Sequence, residues 1–273
     1  MNIKSVKRMN DGNDIPVFGL GTYLMRQGRE TRESVNTALE YGYRHIDTAS
    51  IYGNETAVGR AVNESGIPRE ELFITTKVWN DDQGYDKTMK AFEESLKRLN
   101  LDYVDLYLIH WPLEDKRLDT WRALEQIHKD GLAKSIGVSN FMIDHLKELF
   151  KSSNIMPAVN QVEMSPYLNQ KELIDFCREN DIVIEAYSPL VRGKKSKDER
   201  LLDISAKHNK TWAQILLRWG LQRDMVVLAK SSNEDRIKEN ADIFDFELSQ
   251  EDMDQMDTWN EDYRVSWDPS KIA

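Results

Sequence analysis

Short apolar or β-branched runs alternate with helix-period segments along the whole chain, and this alternation constrains the fold more than any other property of it. Strands are expected at 72–76, 103–109, 135–138, 158–162, 182–186 and 225–228, with weaker runs at 43–46 and 18–20. Helices are expected at 32–41, 56–64, 85–99, 118–129, 143–150, 171–180, 211–221 and 235–240. Within 85–99, Met89, Phe92, Leu96 and Leu99 form one stripe, with Lys87, Lys90, Glu93, Glu94 and Lys97 away from it, the pattern of a helix that packs by one face. The pairs recur roughly every thirty residues, the size of one strand–helix step. Several strand runs are apolar throughout, as parallel strands covered on both faces require. An open doubly wound sheet and a closed eight-stranded barrel both fit that repeat. No linker or shift in composition divides the chain, which favours one closed unit: an α/β protein, a (β/α)8 TIM barrel, with residues 1–273 as a single domain. Three pieces stand outside the repeat. Residues 1–17 read as a β-hairpin turning at Asn10-Asp11-Gly12-Asn13, 198–208 as an extra helix, and 259–273 as a tail after a last helix at 250–258.

Composition narrows the function classes. The net charge of −10 argues against a general nucleic-acid binder, so an anionic ligand would need its own local basic cluster. No run is apolar for long enough to span a bilayer, which argues against a membrane partner. The start, Met1-Asn2-Ile3-Lys4-Ser5-Val6-Lys7-Arg8, has basic residues but no apolar core of a signal peptide. Cys177 is the only cysteine, which suits a reducing compartment, and a cytoplasmic location is expected. None of the five histidines forms a ligand-spaced pair with another His or with the cysteine, so no metal site is expected. Two glycine patterns lead nowhere. Gly19-Leu20-Gly21, with Glu40 about twenty residues on, resembles a dinucleotide fingerprint, but Leu24 replaces its third glycine and no helix opens directly after Gly21. Gly193-Lys194-Lys195-Ser196 lacks the upstream glycine of a phosphate loop and reads as a solvated basic turn.

In a βα barrel the chemistry sits at the C-terminal ends of the strands. Asp47 and Tyr52 follow the second strand, Lys77 ends the third and His110 the fourth, so the four would meet in space. Singly, each has an ordinary structural role open to it. Together they make a proton-delivery device. A tyrosine with an unperturbed pKa of about 10 is a poor acid near neutrality. A neighbouring ammonium favours the phenolate and draws that pKa down, an Asp keeps the Lys charged and aimed, and a His can orient a carbonyl by hydrogen bonding.

The run from Gly42 to Glu55, containing Asp47, Thr48, Ala49 and Tyr52, closely resembles the first motif of the aldo-keto reductases. The resemblance continues through Thr76-Lys77-Val78-Trp79, Asp105 to Pro112, Ile136-Gly137-Val138-Ser139-Asn140-Phe141, Asn160-Gln161-Val162-Glu163 and Ala186-Tyr187-Ser188-Pro189-Leu190. It ends with Lys230-Ser231, Arg236 and Glu239-Asn240, in order over nearly the whole chain. The resemblance implies an NADPH-dependent reductase of aldehydes, ketones and small dicarbonyls. Tyr52 would be the general acid, Lys77 and Asp47 would tune it, and His110 would orient the carbonyl. Cofactor contacts would come from Gly21, Thr22 and Asp47, and from Ser139, Asn140 and Gln161 around the nicotinamide carboxamide. Tyr187 would stack on the ring, Ser188 and Leu190 would lie along the pyrophosphate, Lys230, Ser231 and Arg236 would hold the 2′-phosphate, and Glu239 and Asn240 the adenosine. Arg236 and Lys230 are the basic cluster an acidic protein needs for such a ligand. The chain departs from the family at Ala229, where proline is usual, which bears on how tightly cofactor is held.

Tyr23, Trp79, Trp111 and Trp267, with His110, are the expected substrate-side residues. Short loops at 113–119 and 191–198 imply an open, shallow mouth, like the compact microbial members that act on methylglyoxal, simple aldehydes and keto-sugars. The expected partner is a small carbonyl compound and the expected state a monomer. A non-catalytic nucleotide-binding barrel, regulatory or structural, is the other reading, and the complete set of four polar residues favours the enzyme.

Overall fold

The computed structural model describes residues 1–272; Ala273 lies outside the described residues, so the expected domain and tail are followed to Ile272. The chain opens with the expected hairpin, β1 (Val6–Arg8) antiparallel to β2 (Asp14–Pro16), with Gly12 in the turn at a φ of 86° that favours glycine. Eight parallel strands follow: β3 (Phe18–Gly21), β4 (His45–Asp47), β5 (Phe73–Val78), β6 (Val104–Ile109), β7 (Ala133–Ser139), β8 (Val159–Glu163), β9 (Val183–Tyr187) and β10 (Val226–Ala229). Each pairs with its sequence neighbours, and β10 returns to β3 through Val227↔Phe18, Leu228↔Gly19 and Ala229↔Leu20. That last pairing decides between the two topologies in favour of the closed barrel.

Helices follow the strands: α1 (Arg29–Glu40), α2 (Glu55–Glu64), α3 (Tyr85–Leu99), α4 (Arg117–Lys129), α5 (Ile143–Phe150), α6 (Lys171–Glu179), α8 (Trp212–Gln222) and α9 (Glu234–Ala241). The extra helix α7 (Glu199–His208) precedes α8, and α10 (Gln250–Asp257) precedes the tail. Helix α3 shows why the outer ring adheres. Its face of Thr88, Ala91, Phe92, Ser95 and Leu99 is buried, and the Phe92 ring meets Tyr107 of β6 at 4.6 Å between centroids. Truncating such a ring to alanine costs about 3–5 kcal/mol. Neighbouring α2 approaches so closely that a Cβ at Gly59 would lie 2.0 Å from the Leu99 carbonyl oxygen, so only glycine fits there. α1 begins eight residues beyond Gly21, so no helix N-terminus stands behind Gly19-Leu20-Gly21. Among the described residues, no helix is long and apolar enough to cross a membrane.

The barrel interior is divided by height. At the N-terminal end, Met9 and Ile15 of the hairpin join Phe73, Leu106, Leu108, Ala158, Val159, Val183 and Val226 in an apolar plug. Asn10 and Asn13 fasten the hairpin by donating to the carbonyls of Pro157 and Lys134. Above the plug the inward side chains turn polar: His45 and Thr75, then Glu185 and Gln161, then Asp47 and Lys77, all buried.

Candidate active site

Asp47 is the last residue of β4 and Lys77 the penultimate residue of β5, so strand register delivers both to the barrel mouth. The Lys77 Nζ donates to both Asp47 oxygens at 2.7 Å and to the Thr48 carbonyl at 2.8 Å, which uses all three of its protons. With Lys77 fully buried and Asp47 4% exposed, this is a desolvated, bidentate ion pair. Tyr52 sits in a single 3-10 turn, Ser50–Tyr52, held by Ser50 Oγ donating to the Lys77 carbonyl. The Lys77 Nζ lies 5.2 Å from the centroid of the Tyr52 ring, and the imidazole of His110 lies 5.6 Å from it, edge to face. The four residues expected to meet do meet.

Their electrostatics differ from expectation in one respect. Burial, followed by the Asp47 charge, raises the Tyr52 phenol well above its ordinary value, so the drawing-down expected from Lys77 is outweighed. Tyr52 therefore stays protonated. Burial and then the Lys77 charge push His110 well below its ordinary value, so its imidazole is neutral. Asn140 Nδ2 donates to the His110 carbonyl at 3.0 Å.

A cavity of about 680 Å³ opens over these residues. Gly21, Tyr23, Asp47, Tyr52, Trp79, His110, Trp111, Ser139, Asn140, Gln161, Tyr187, Ser188, Leu190, Lys230 and Trp267 all line it. Thr22 and Lys77 stand behind its wall, Thr22 donating from Oγ1 to the Asp47 carbonyl at 2.9 Å. Ser231, Arg236, Glu239 and Asn240 do not line it. They follow Lys230 on the β10–α9 segment, where Arg236 is exposed, Asn240 is buried and Glu239 accepts from Thr211 Oγ1 at 2.6 Å. Ala229 ends β10, buried and paired with Leu20.

The polar wall is ordered by register. Ser139, Gln161 and Glu185 are successive partners across β7, β8 and β9, and Glu163 faces Tyr187 one step higher. Tyr187 Oη donates to Asn140 Oδ1 at 2.8 Å, which fixes the ring against the cavity. The opposite wall is aromatic and comes partly from the tail. The Trp267 indole lies 5.5 Å from that of Trp111 and 6.3 Å from that of Trp79, and Val265 and Ser266 line the cavity beside it. The tail thus supplies part of the cavity wall, which loop lengths do not report.

Sequence reasoning missed the residues that hold this arrangement. Glu163 accepts the backbone N–H of Val265 at 2.7 Å and of Ser266 at 3.0 Å, clamping the tail to β8. Asn54, buried, donates to the Thr22 carbonyl and accepts from Thr48 Oγ1, tying the loops after β3 and β4 together. Glu55 accepts from Thr76 Oγ1 and Arg98 Nε at 2.6 Å each. All three lie in the motifs quoted above; their period-2 or loop positions marked them, but their distant partners left no local signal. Arg192, one residue before the basic turn at 193–196, lines the cavity and stands 5.7 Å from the centroid of the Tyr23 ring.

Comparison with known proteins fits this geometry. The sequence model of the Aldo/keto reductase family matches residues 18–261. Glyoxal reductase of Bacillus subtilis is 55% identical over 271 residues, covering 99% of this chain and 98% of the relative. An aldo-keto reductase from a Medee basin deep-sea metagenome library is 45% identical with a TM-score of 0.95, covering 98% of this chain and all of that one, at 100%. A Bombyx mori aldo-keto reductase solved in complex with NADP is 39% identical with a TM-score of 0.90, over 96% of this chain and 94% of that one.

Proposed function

The chain belongs to the aldo/keto reductase family, and from that premise we propose that it reduces aldehydes, ketones and small dicarbonyls such as methylglyoxal with NADPH, using Tyr52 as proton donor. The observation that carries this reading is the Asp47–Lys77 pair beside Tyr52 and His110, with Asp47, Tyr52 and His110 lining one cavity.

The residues present suit the cofactor. A cavity of about 680 Å³ offers the polar set Ser139, Asn140 and Gln161 next to the Tyr187 ring, with the cations Arg192 and Lys230 on the same lining. Ser188 and Leu190 would follow the pyrophosphate, Ser231 and Arg236 with Lys230 the 2′-phosphate, and Glu239 and Asn240 the adenosine. Gly21 and Asp47, which line the cavity, would border the nicotinamide end, and Thr22 braces Asp47 from behind. When bound, the cofactor supplies hydride to the carbonyl carbon.

The chain's own residues handle the proton. His110, neutral, orients the carbonyl oxygen by hydrogen bonding. Tyr52 releases its phenolic proton to that oxygen as negative charge develops there, and the Lys77 ammonium stabilises the phenolate left behind. Asp47 keeps Lys77 charged and aimed. Trp79, Trp111, Tyr23 and Trp267 wall the substrate from water, which strengthens each of these interactions. We read the protein as a monomeric, single-domain enzyme of the cytoplasm. Steady-state turnover of methylglyoxal, an aldehyde panel and keto-sugars, with NADPH and NADH, tests the proposal. No turnover of any carbonyl, or turnover unaffected by Tyr52→Phe, would sink it.

A further inference from the structure

One buried acid has no part in the proton chemistry above. Glu185, on β9, is fully buried in the middle of the barrel. Its Oε2 accepts from Gln161 Nε2 at 2.6 Å, and its Oε1 lies 3.5 Å from His45 Nε2 with no hydrogen-bond partner. The same Gln161 Nε2 donates at 2.9 Å to Asp47 Oδ2. A primary amide has two N–H donors on one nitrogen, and these two acceptors take both. The amide is therefore held by its nitrogen between two carboxyl groups, and its oxygen is the end left to meet anything else in the mouth, which Gln161 lines.

The charges in this layer agree. Lys77 gives both carboxylate contacts to Asp47, and among the described residues no Lys or Arg pairs with Glu185. Burial, then the Asp47 charge, pushes the Glu185 carboxyl up to about 8. Burial pulls His45 down to about 3, so its imidazole is neutral, and its Nε2 also lies 3.1 Å from Thr75 Oγ1. Oε2 is the oxygen that accepts from Gln161, and Oε1 is the one turned toward His45. Strand register makes this possible, since Gln161 and Glu185 are direct partners on adjacent strands. The pocket for His45 also depends on Gly19, where a Cβ would come within 2.8 Å of the imidazole.

We propose that Glu185 is a positioning residue that locks the Gln161 amide with its oxygen outward, so that β8 presents an acceptor to the NH2 of the nicotinamide carboxamide. Asp47 alone leaves one Gln161 N–H free and the amide able to tilt; Glu185 removes that freedom. This rests on the reading of Gln161 given under Proposed function, and the test separates the two. NADP+ and its 3-acetylpyridine analogue, whose amide NH2 is replaced by methyl, are titrated calorimetrically against the intact protein and its variants. The intact protein is expected to prefer NADP+. Glu185→Leu is expected to lose roughly three- to ten-fold of that preference, the size of one hydrogen bond. Glu185→Gln, whose amide oxygen offers the same acceptor, is expected to keep it, and Gln161→Leu to lose it. A general loosening of the fold would weaken both ligands equally and leave the preference intact. If Gln161→Leu loses the preference and Glu185→Leu keeps it, the lock is wrong while the carboxamide reading stands; if Gln161→Leu keeps it, both fall. Should Glu185→Leu not fold, Glu185→Ala gives the same reading, and loss of preference in a folded Glu185→Gln overturns the lock by itself.

Discussion

The two ends of this barrel are built from the same eight strands and do opposite work. At the N-terminal end, Met9 and Ile15 of the hairpin complete an apolar plug in which dispersion and burial do everything. From the middle of the barrel to its C-terminal end, buried Glu185, Gln161, Asp47 and Lys77 are linked by short hydrogen bonds. A buried ion pair adds little net stability, because desolvation offsets its attraction. The comparison teaches that the plug and the helical ring supply the stability against which the polar mouth can be held in one arrangement before any substrate arrives.

Substitutions at the mouth should break chemistry and spare the fold, and substitutions at the plug the reverse. The largest effect is expected from Tyr52→Phe, which keeps the ring and removes the proton. Carbonyl reduction should fall by ~10²–10⁴-fold, with NADPH affinity and melting temperature nearly unchanged, as turnover and titration would show. Next comes Arg236→Ala on the exposed rim. A charged hydrogen bond is worth roughly 1.5–3 kcal/mol, so NADPH should bind roughly ten- to a hundred-fold more weakly while NADH loses much less; equal losses would remove Arg236 from the phosphate site.

A smaller change is expected from Glu163→Ala, which frees the tail that carries Trp267. KM for aromatic aldehydes should rise by roughly three- to ten-fold, as two hydrogen bonds and an aromatic wall are lost, with KM for methylglyoxal moving less. An unchanged aldehyde ranking would make Trp267 a structural residue only. Smaller still is the pH response. Tyr52 is raised and His110 lowered, so neither titrates near neutrality. Reduction should stay within about two-fold from about pH 6 to 7.5, because the acid is loaded throughout, whereas alcohol oxidation, which needs the phenolate, should climb as pH rises. A bell centred near neutrality in the reduction direction would overturn these assignments. Ile15→Ala, at the plug, should leave every kinetic constant alone and cost about 2–5 kcal/mol of stability, read by denaturant melts. A changed KM there would mean the two ends are coupled.

The barrel was legible because its repeat is local: each strand and helix announces itself by the period of a few neighbouring side chains, as in the Met89–Leu99 stripe of α3. The four residues of the floor were legible because strand ends are local too. What sequence did not reveal depends on distance. Glu163 looks like an ordinary polar residue in a strand until Val265 and Ser266, about a hundred residues on, come to it. The Tyr52 phenol was expected to be drawn down by its lysine; burial by the whole mouth, which no local motif reports, reverses the direction. Glu185 sits in an apolar run whose neighbours give no hint that the carboxyl faces another strand's amide.

The seam of the barrel has a consequence for how the protein is made. β3 emerges from the ribosome early, yet one of its two partners is β10, about two hundred residues later. Until then the strands already made can form only an open sheet, whose unpaired edges are a template for other chains, although Asp47, Lys77 and His110 are already present. The wall formed by Val265, Ser266 and Trp267 arrives later still. A chain halted before residue 226 thus holds Asp47, Tyr52, Lys77 and His110 and lacks the strand that closes the barrel around them.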